Sequence, residues 1–104
     1  MTIRQIEFQK IQPQTKLLFQ KYSSLKKLDI YKCDLRTLHN FPYLESLKDL
    51  RLSGNKLQGT LENIIKLMGL EYLDLSSNII REVAKLKPLK RIKKLKIFIS
   101  NNPF

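Results

Sequence analysis

The amino-acid sequence predicts an α/β solenoid in which a short parallel sheet lines a concave face and helix or 3-10 turns form the convex face, capped at both ends. Two features lead to this reading. An apolar pattern returns at steps of 22 and 23 residues, and each return holds an apolar/polar alternation only long enough for a small strand. A third feature sets the scale: 104 residues with 42% hydrophobic composition make one domain, 1–104, with a continuous core.

The clearest copies are Leu47-Lys-Asp-Leu50-Arg-Leu52-Ser-Gly-Asn55-Lys-Leu57 and Leu70-Glu-Tyr-Leu73-Asp-Leu75-Ser-Ser-Asn78-Ile-Ile80. Leu25-Lys-Lys-Leu28-Asp-Ile30-Tyr-Lys-Cys33-Asp-Leu35 keeps the same frame with Cys33 where the others have asparagine. This is the leucine-rich repeat pattern, which accepts either residue at that place. In Leu50-Arg51-Leu52 the leucines point into the core and the residue between them points out. Asn55 and Asn78 fall where the chain leaves the strand. A buried amide there can bond the backbone groups of the turn, so both are expected to be structural.

Between strands, residues 57–68 place apolar side chains at i, i+4, i+7 and i+8, which predicts a true helix with Thr60 as its N-cap. Phe41-Pro42-Tyr43-Leu44 and Leu86-Lys-Pro88-Leu89 carry prolines that suit a first helical turn or a short 3-10 turn. Residues 1–22, with Ile3, Ile6, Phe8, Ile11, Leu17, Leu18 and Phe19, form the expected N-terminal cap over the first strand edge. Repeats occupy 23–91, and 92–104 form the last repeat or C-terminal cap. Its register has two solutions, Ile92, Leu95, Ile97 and Ser100, or Ile97 and Ile99 with Asn102 at the turn.

The charge is lopsided, with 20 Lys plus Arg against 9 Asp plus Glu, a net +11. Such a balance points to polyanionic partners, nucleic acid first. No apolar run approaches the ~20 residues of a membrane span, and the start lacks a secretory apolar core, so an intracellular protein, cytoplasmic or nuclear, is expected. One cysteine, Cys33, and one histidine, His39, supply neither a disulfide nor a metal cluster. Phosphate-cradling, nucleophile-elbow and zinc-protease motifs are missing from the sequence. No catalysis, cofactor or small-molecule substrate is therefore expected.

From Leu25 to Phe104 the chain resembles the repeat domain of the acidic leucine-rich nuclear phosphoprotein family and the spliceosomal leucine-rich A-prime protein. The likeness is carried by Leu35-Arg-Thr-Leu38-His-Asn-Phe-Pro42-Tyr-Leu44, by the run Leu50 to Gly59, and by Val83-Ala-Lys-Leu86-Lys-Pro88-Leu89 followed by Asn102-Pro103. It implies an intracellular adaptor, nuclear or ribonucleoprotein-associated, without catalysis. Shared core and turn positions speak for fold more than for task. The acidic family carries a long Asp/Glu tail behind its repeats, whereas the last acid here is Glu82, so the chromatin binding associated with that tail is not expected from these residues.

Two candidate surfaces follow. The outward strand positions Lys27, Asp29, Tyr31, Asp49, Arg51, Tyr72 and Asp74, with Ser53, Ser76, Lys94, Lys96 and Phe98 beside them, form a concave partner-binding face. Tyr31 and Tyr72 are its candidate anchors. The second surface is the run Lys85, Lys87, Lys90, Arg91, Lys93, Lys94 and Lys96, which holds no acid. Leu86, Leu89, Ile92 and Leu95 recur within it at three-residue steps, so one side docks on the stack and the cations project. The expected function is a basic adaptor in an RNA-protein assembly, a ribosome or splicing particle, with the ridge on phosphate. The alternative is a protein-only module binding an acidic or helical partner.

Overall fold

Leucines at equivalent places of successive repeats stack, and that stacking sets the architecture. The computed structural model describes residues 2–3, 24–38, 41, 43–59, 61 and 63–104. Five parallel strands run in sequence order: β1 (Thr2–Ile3), β2 (Lys27–Ile30), β3 (Asp49–Arg51), β4 (Tyr72–Asp74) and β5 (Lys96–Phe98). The register joins Leu28 to Leu50, Leu50 to Leu73 and Leu73 to Ile97. Leu28, Leu50 and Leu73 are fully buried, as are Ile30, Leu52 and Leu75 one alternation later. A leucine in such a row stabilises by about 1.5–3 kcal/mol through removal from water.

Thr2 and Ile3 pair with Asp29 and Ile30, so the first residues of the expected cap lie along β2. The remainder of that cap, together with His39, Pro42 and the Thr60 N-cap, lies outside the described residues.

The turns out of the strands follow one plan. Asn55 Oδ1 accepts from the amides of Cys33 (2.9 Å) and Leu35 (3.0 Å), while Nδ2 donates to the carbonyls of Ile30 (2.8 Å) and Leu52 (2.9 Å). Asn78 repeats this one step on, accepting from Leu57 N and donating to Leu52 and Leu75. Each amide thus ties its own turn to the preceding repeat, the structural role expected for Asn55 and Asn78. Cys33, at the same place, is buried and its thiol donates to the Tyr31 carbonyl at 3.4 Å. Before Cys33, Asn55, Asn78 and Asn102, which holds the same place in the last repeat, the backbone is left-handed, at Lys32, Gly54, Ser77 and Asn101.

Asn102 also decides the last register. Its Oδ1 accepts from Ile80 N, and its Nδ2 donates to the carbonyls of Leu75 and Ile99, each bond 3.0 Å long. Ile97 and Ile99 therefore take the inward positions of the final repeat, in line with Leu73 and Leu75, although Ile97 stays partly exposed, and Asn102 is its turn residue. The other register, ending on Ser100, is excluded.

On the convex side, Val83–Arg91 forms a nine-residue 3-10 helix. Its three-residue period matches the step of Leu86, Leu89 and Ile92, which therefore share one face and are buried together. The described residues of 57–68 do not form the true helix expected there; among them only Ile64–Lys66 is helical, as a 3-10 turn. Gly59 at φ +107 breaks the right-handed path. The amide of Leu57 is used by Asn78, and Asn63 sends its side chain to the Leu38 carbonyl (2.8 Å) instead of capping. Leu57, Leu61, Ile64 and Leu67 are nevertheless all buried. The apolar spacing marked a buried face correctly and its backbone incorrectly.

Candidate partner-binding surfaces

Strand alternation turns every second residue of β2 to β5 toward the concave side, and parallel register aligns them in rows. One row runs Lys27, Asp49, Tyr72, Lys96 and the next Asp29, Arg51, Asp74, Phe98. Tyr31 lies just past β2, exposed, with Lys32 Nζ 5.1 Å from its ring centroid. All seven expected concave-face residues thus fall on one side of the sheet.

Within the rows the side chains form a connected strip. The Arg51 guanidinium meets the Asp49 carboxylate through Nε (3.2 Å) and Nη2 (3.3 Å). It also lies 4.9 Å over the Tyr72 ring. Tyr72 in turn stacks on Phe98, with centroids 4.6 Å apart and planes at 29°. The hydrogen bond and charge of Asp49 hold the Arg51 pKa above its ordinary value. Asp74 Oδ1 accepts from the Ser76 amide (2.9 Å) and hydroxyl (2.6 Å), and Ser76 meets Ser53 at 3.1 Å. These contacts limit side-chain motion before any partner arrives, which lowers the entropic cost of binding. Phe98 joins the strip only once the last register is known. The signal for it in the sequence is its place between Ile97 and Ile99, matching Asp74 between Leu73 and Leu75.

The basic run is divided. Lys85, Lys87, Lys90 and Arg91 lie on the 3-10 helix and Lys93 and Lys94 in the turn after it, all exposed. Of the two lysines named for both surfaces, Lys96 lies in the concave row beside Tyr72, whereas Lys94 is in the turn before β5. Lys87, Lys90 and Lys93 line an open groove of about 500 Å³ whose other walls are apolar, among them Leu89, Ile92 and Ile97. The cations thus border an apolar hollow. The concave face, by contrast, mixes aromatic rings, three aspartates and three cations.

Among the described residues, no helix is long and apolar enough to cross a membrane, and no three His, Cys, Asp or Glu side chains are grouped to hold a metal ion.

Comparison with known proteins gives a family model and several relatives. Residues 20–104 match the model described as leucine-rich repeat. The chain is 38% identical over 80 residues to acidic leucine-rich nuclear phosphoprotein 32 family member A of Drosophila pseudoobscura pseudoobscura, covering 77% of this chain and 30% of that protein. The Drosophila melanogaster protein of the same name is 38% identical over 78 residues, 75% of this chain and 30% of its own length. Acidic leucine-rich nuclear phosphoprotein 32-related protein 1 of Oryza sativa subsp. japonica is 36% identical over 78 residues, 73% of this chain and 16% of its own. The chain therefore spans less than a third of the length of these relatives.

Proposed function

We propose, from the premise that the chain belongs to the leucine-rich repeat family, that it is a non-catalytic protein-interaction module whose concave strip grips a protein segment. The observation that carries this reading is the continuous Arg51–Tyr72–Phe98 stack across three adjacent strands, flanked by Asp29, Asp49 and Asp74. Rigid aromatic and arginine side chains are the usual anchors of protein interfaces. Aspartates alternate with Lys27, Arg51 and Lys96 on this face, so it offers no excess of positive charge to a phosphate backbone, which favours a protein occupant over RNA. The relatives' name, nuclear phosphoprotein, agrees with an intracellular setting, nuclear or cytoplasmic.

A ribonucleoprotein setting is the second reading. It is favoured by the exposed Lys87, Lys90, Arg91, Lys93 and Lys94, on a stretch without an acid after Glu82. One experiment separates the two: affinity capture from the protein's own cells, with and without nuclease, using the parent chain and an Arg51→Ala/Tyr72→Ala variant. The concave-face reading expects a captured protein that survives nuclease and is lost with the double variant. Capture abolished by nuclease and indifferent to the double variant would favour the ribonucleoprotein.

A further inference from the structure

Arg51 has an acid on either side, Asp49 on its own strand and Asp74 beside it in the register of β4, and it serves only the first. Its guanidinium turns along β3 and gives both Nε and Nη2 to Asp49. Asp74 is held by neutral donors instead: its Oδ1 accepts from the Ser76 amide (2.9 Å) and hydroxyl (2.6 Å). Among the described residues, its Oδ2 accepts no hydrogen bond and no cation pairs with it.

The neighbouring hydroxyls fix which way the protons point. An ionised carboxylate only accepts, so the Ser76 hydroxyl proton goes to Asp74. In the Ser53–Ser76 pair, 3.1 Å apart, Ser53 is then the donor. The Ser53 oxygen has thereby spent its proton and offers lone pairs alone. Ser53 Oγ and Asp74 Oδ2 thus make a neutral and a charged acceptor, linked through Ser76, in one half-buried corner of the concave side. A carboxylate or phosphate brings this corner only further acceptors and like charge. A guanidinium brings the missing positive charge and a planar fork of N–H donors that can reach two acceptors at once, which a compact ammonium matches less well. We infer, resting on the reading of the concave strip as a protein-binding surface, that Ser53, Ser76 and Asp74 form a subsite for an arginine side chain of the bound segment. The arginine donates to Asp74 Oδ2 and Ser53 Oγ, while Ser76 positions both acceptors. The Arg51–Tyr72–Phe98 stack beside it receives the rest of the segment.

The probe is a blocked pentapeptide with arginine between glycines, titrated into the isotopically labelled full chain by nuclear magnetic resonance, with citrulline, lysine and glutamate versions alongside. The arginine peptide shifts the amide signals of Ser53 and Ser76 and binds roughly tenfold or more tightly than the citrulline peptide, the difference one hydrogen bond to a charged group implies. Asp74→Asn keeps the acceptor for Ser76 and loses the charge, so the chain folds and arginine binding weakens to the same degree. Ser53→Ala weakens it by roughly two- to tenfold. Glu82→Gln, at the start of the 3-10 helix, leaves it unchanged. Equal binding of the citrulline, lysine or glutamate peptide, or an Asp74→Asn chain that binds arginine as the parent does, overturns the inference. Cellular capture separates this failure from that of the strip. A partner lost with Arg51→Ala/Tyr72→Ala but retained with Asp74→Asn removes the arginine subsite and leaves the strip standing, whereas arginine-peptide binding beside capture indifferent to the double variant contradicts the strip instead.

Discussion

Asn78 reaches across a full repeat to the Leu52 carbonyl at 3.0 Å, while the same amide nitrogen holds its own turn through Leu75 at 2.9 Å. Its Oδ1 accepts from Leu57 N, and the side chain is buried. An alanine there strands buried backbone groups on two repeats. Asn78→Ala should lower stability by about 1–3 kcal/mol in chemical denaturation. Unchanged stability with lost partner binding would assign Asn78 to a ligand rather than to the turn.

Leu73 has no exposed surface and packs in register between Leu50 and Ile97. Leu73→Ala removes that burial and leaves a cavity, a loss of about 2–5 kcal/mol. Leu50→Ala should behave alike. A loss below about 1 kcal/mol would contradict the stacked frame.

The left-handed residue before each turn gives a paired prediction. At Gly54, φ +75, an added Cβ would lie 2.9 Å from Lys32 Cγ and 3.2 Å from Tyr31 Cε2. Gly54→Ala should cost about 1–2 kcal/mol from the left-handed backbone alone and should displace Tyr31. Ser77 holds φ 54 with a side chain already present. Ser77→Gly relieves that cost against roughly 0.5–1 kcal/mol of added unfolded-state entropy, so thermal denaturation should show stability equal to the parent or slightly higher.

Reversal of Lys90, Arg91 and Lys94 to glutamate should leave folding nearly intact, since exposed charges contribute at most ~1 kcal/mol each. If RNA bound through this ridge, the variant would bind it far more weakly and with a flatter salt slope. RNA binding, or co-sedimentation with ribonucleoprotein particles, equal to the parent's at one salt concentration would remove the ridge from any phosphate-binding role.

Much of the fold was legible because the repeat couples sequence to structure at a fixed step. Leu50, Leu52 and Asn55 state a strand and its turn within six positions, and Leu73, Leu75 and Asn78 state them again. The convex side was harder to read. The spacing of Leu57, Leu61, Ile64 and Leu67 is compatible with several backbones, and the choice was made by Gly59 and by hydrogen bonds from Leu57 and Asn63 to other repeats. The last register needed Asn102, because a 24-residue step from Leu73 to Ile97 departs from the earlier spacing. The concave residues followed from alternation. That Arg51, Tyr72 and Phe98 join into one strip did not, since cross-strand contact depends on register. Nor did a linear count of lysines show that Lys87, Lys90 and Lys93 border a groove.

The most direct test of the central claim is site-specific photocrosslinking in the protein's own cells, from Ser53 on the concave side and from Lys56 beyond the turn, after nuclease treatment. The concave-strip account predicts one protein adduct from Ser53, missing from Lys56 and abolished by Tyr72→Ala in a chain whose stability is otherwise retained. An adduct formed equally from Lys56, or undiminished by Tyr72→Ala, would contradict it.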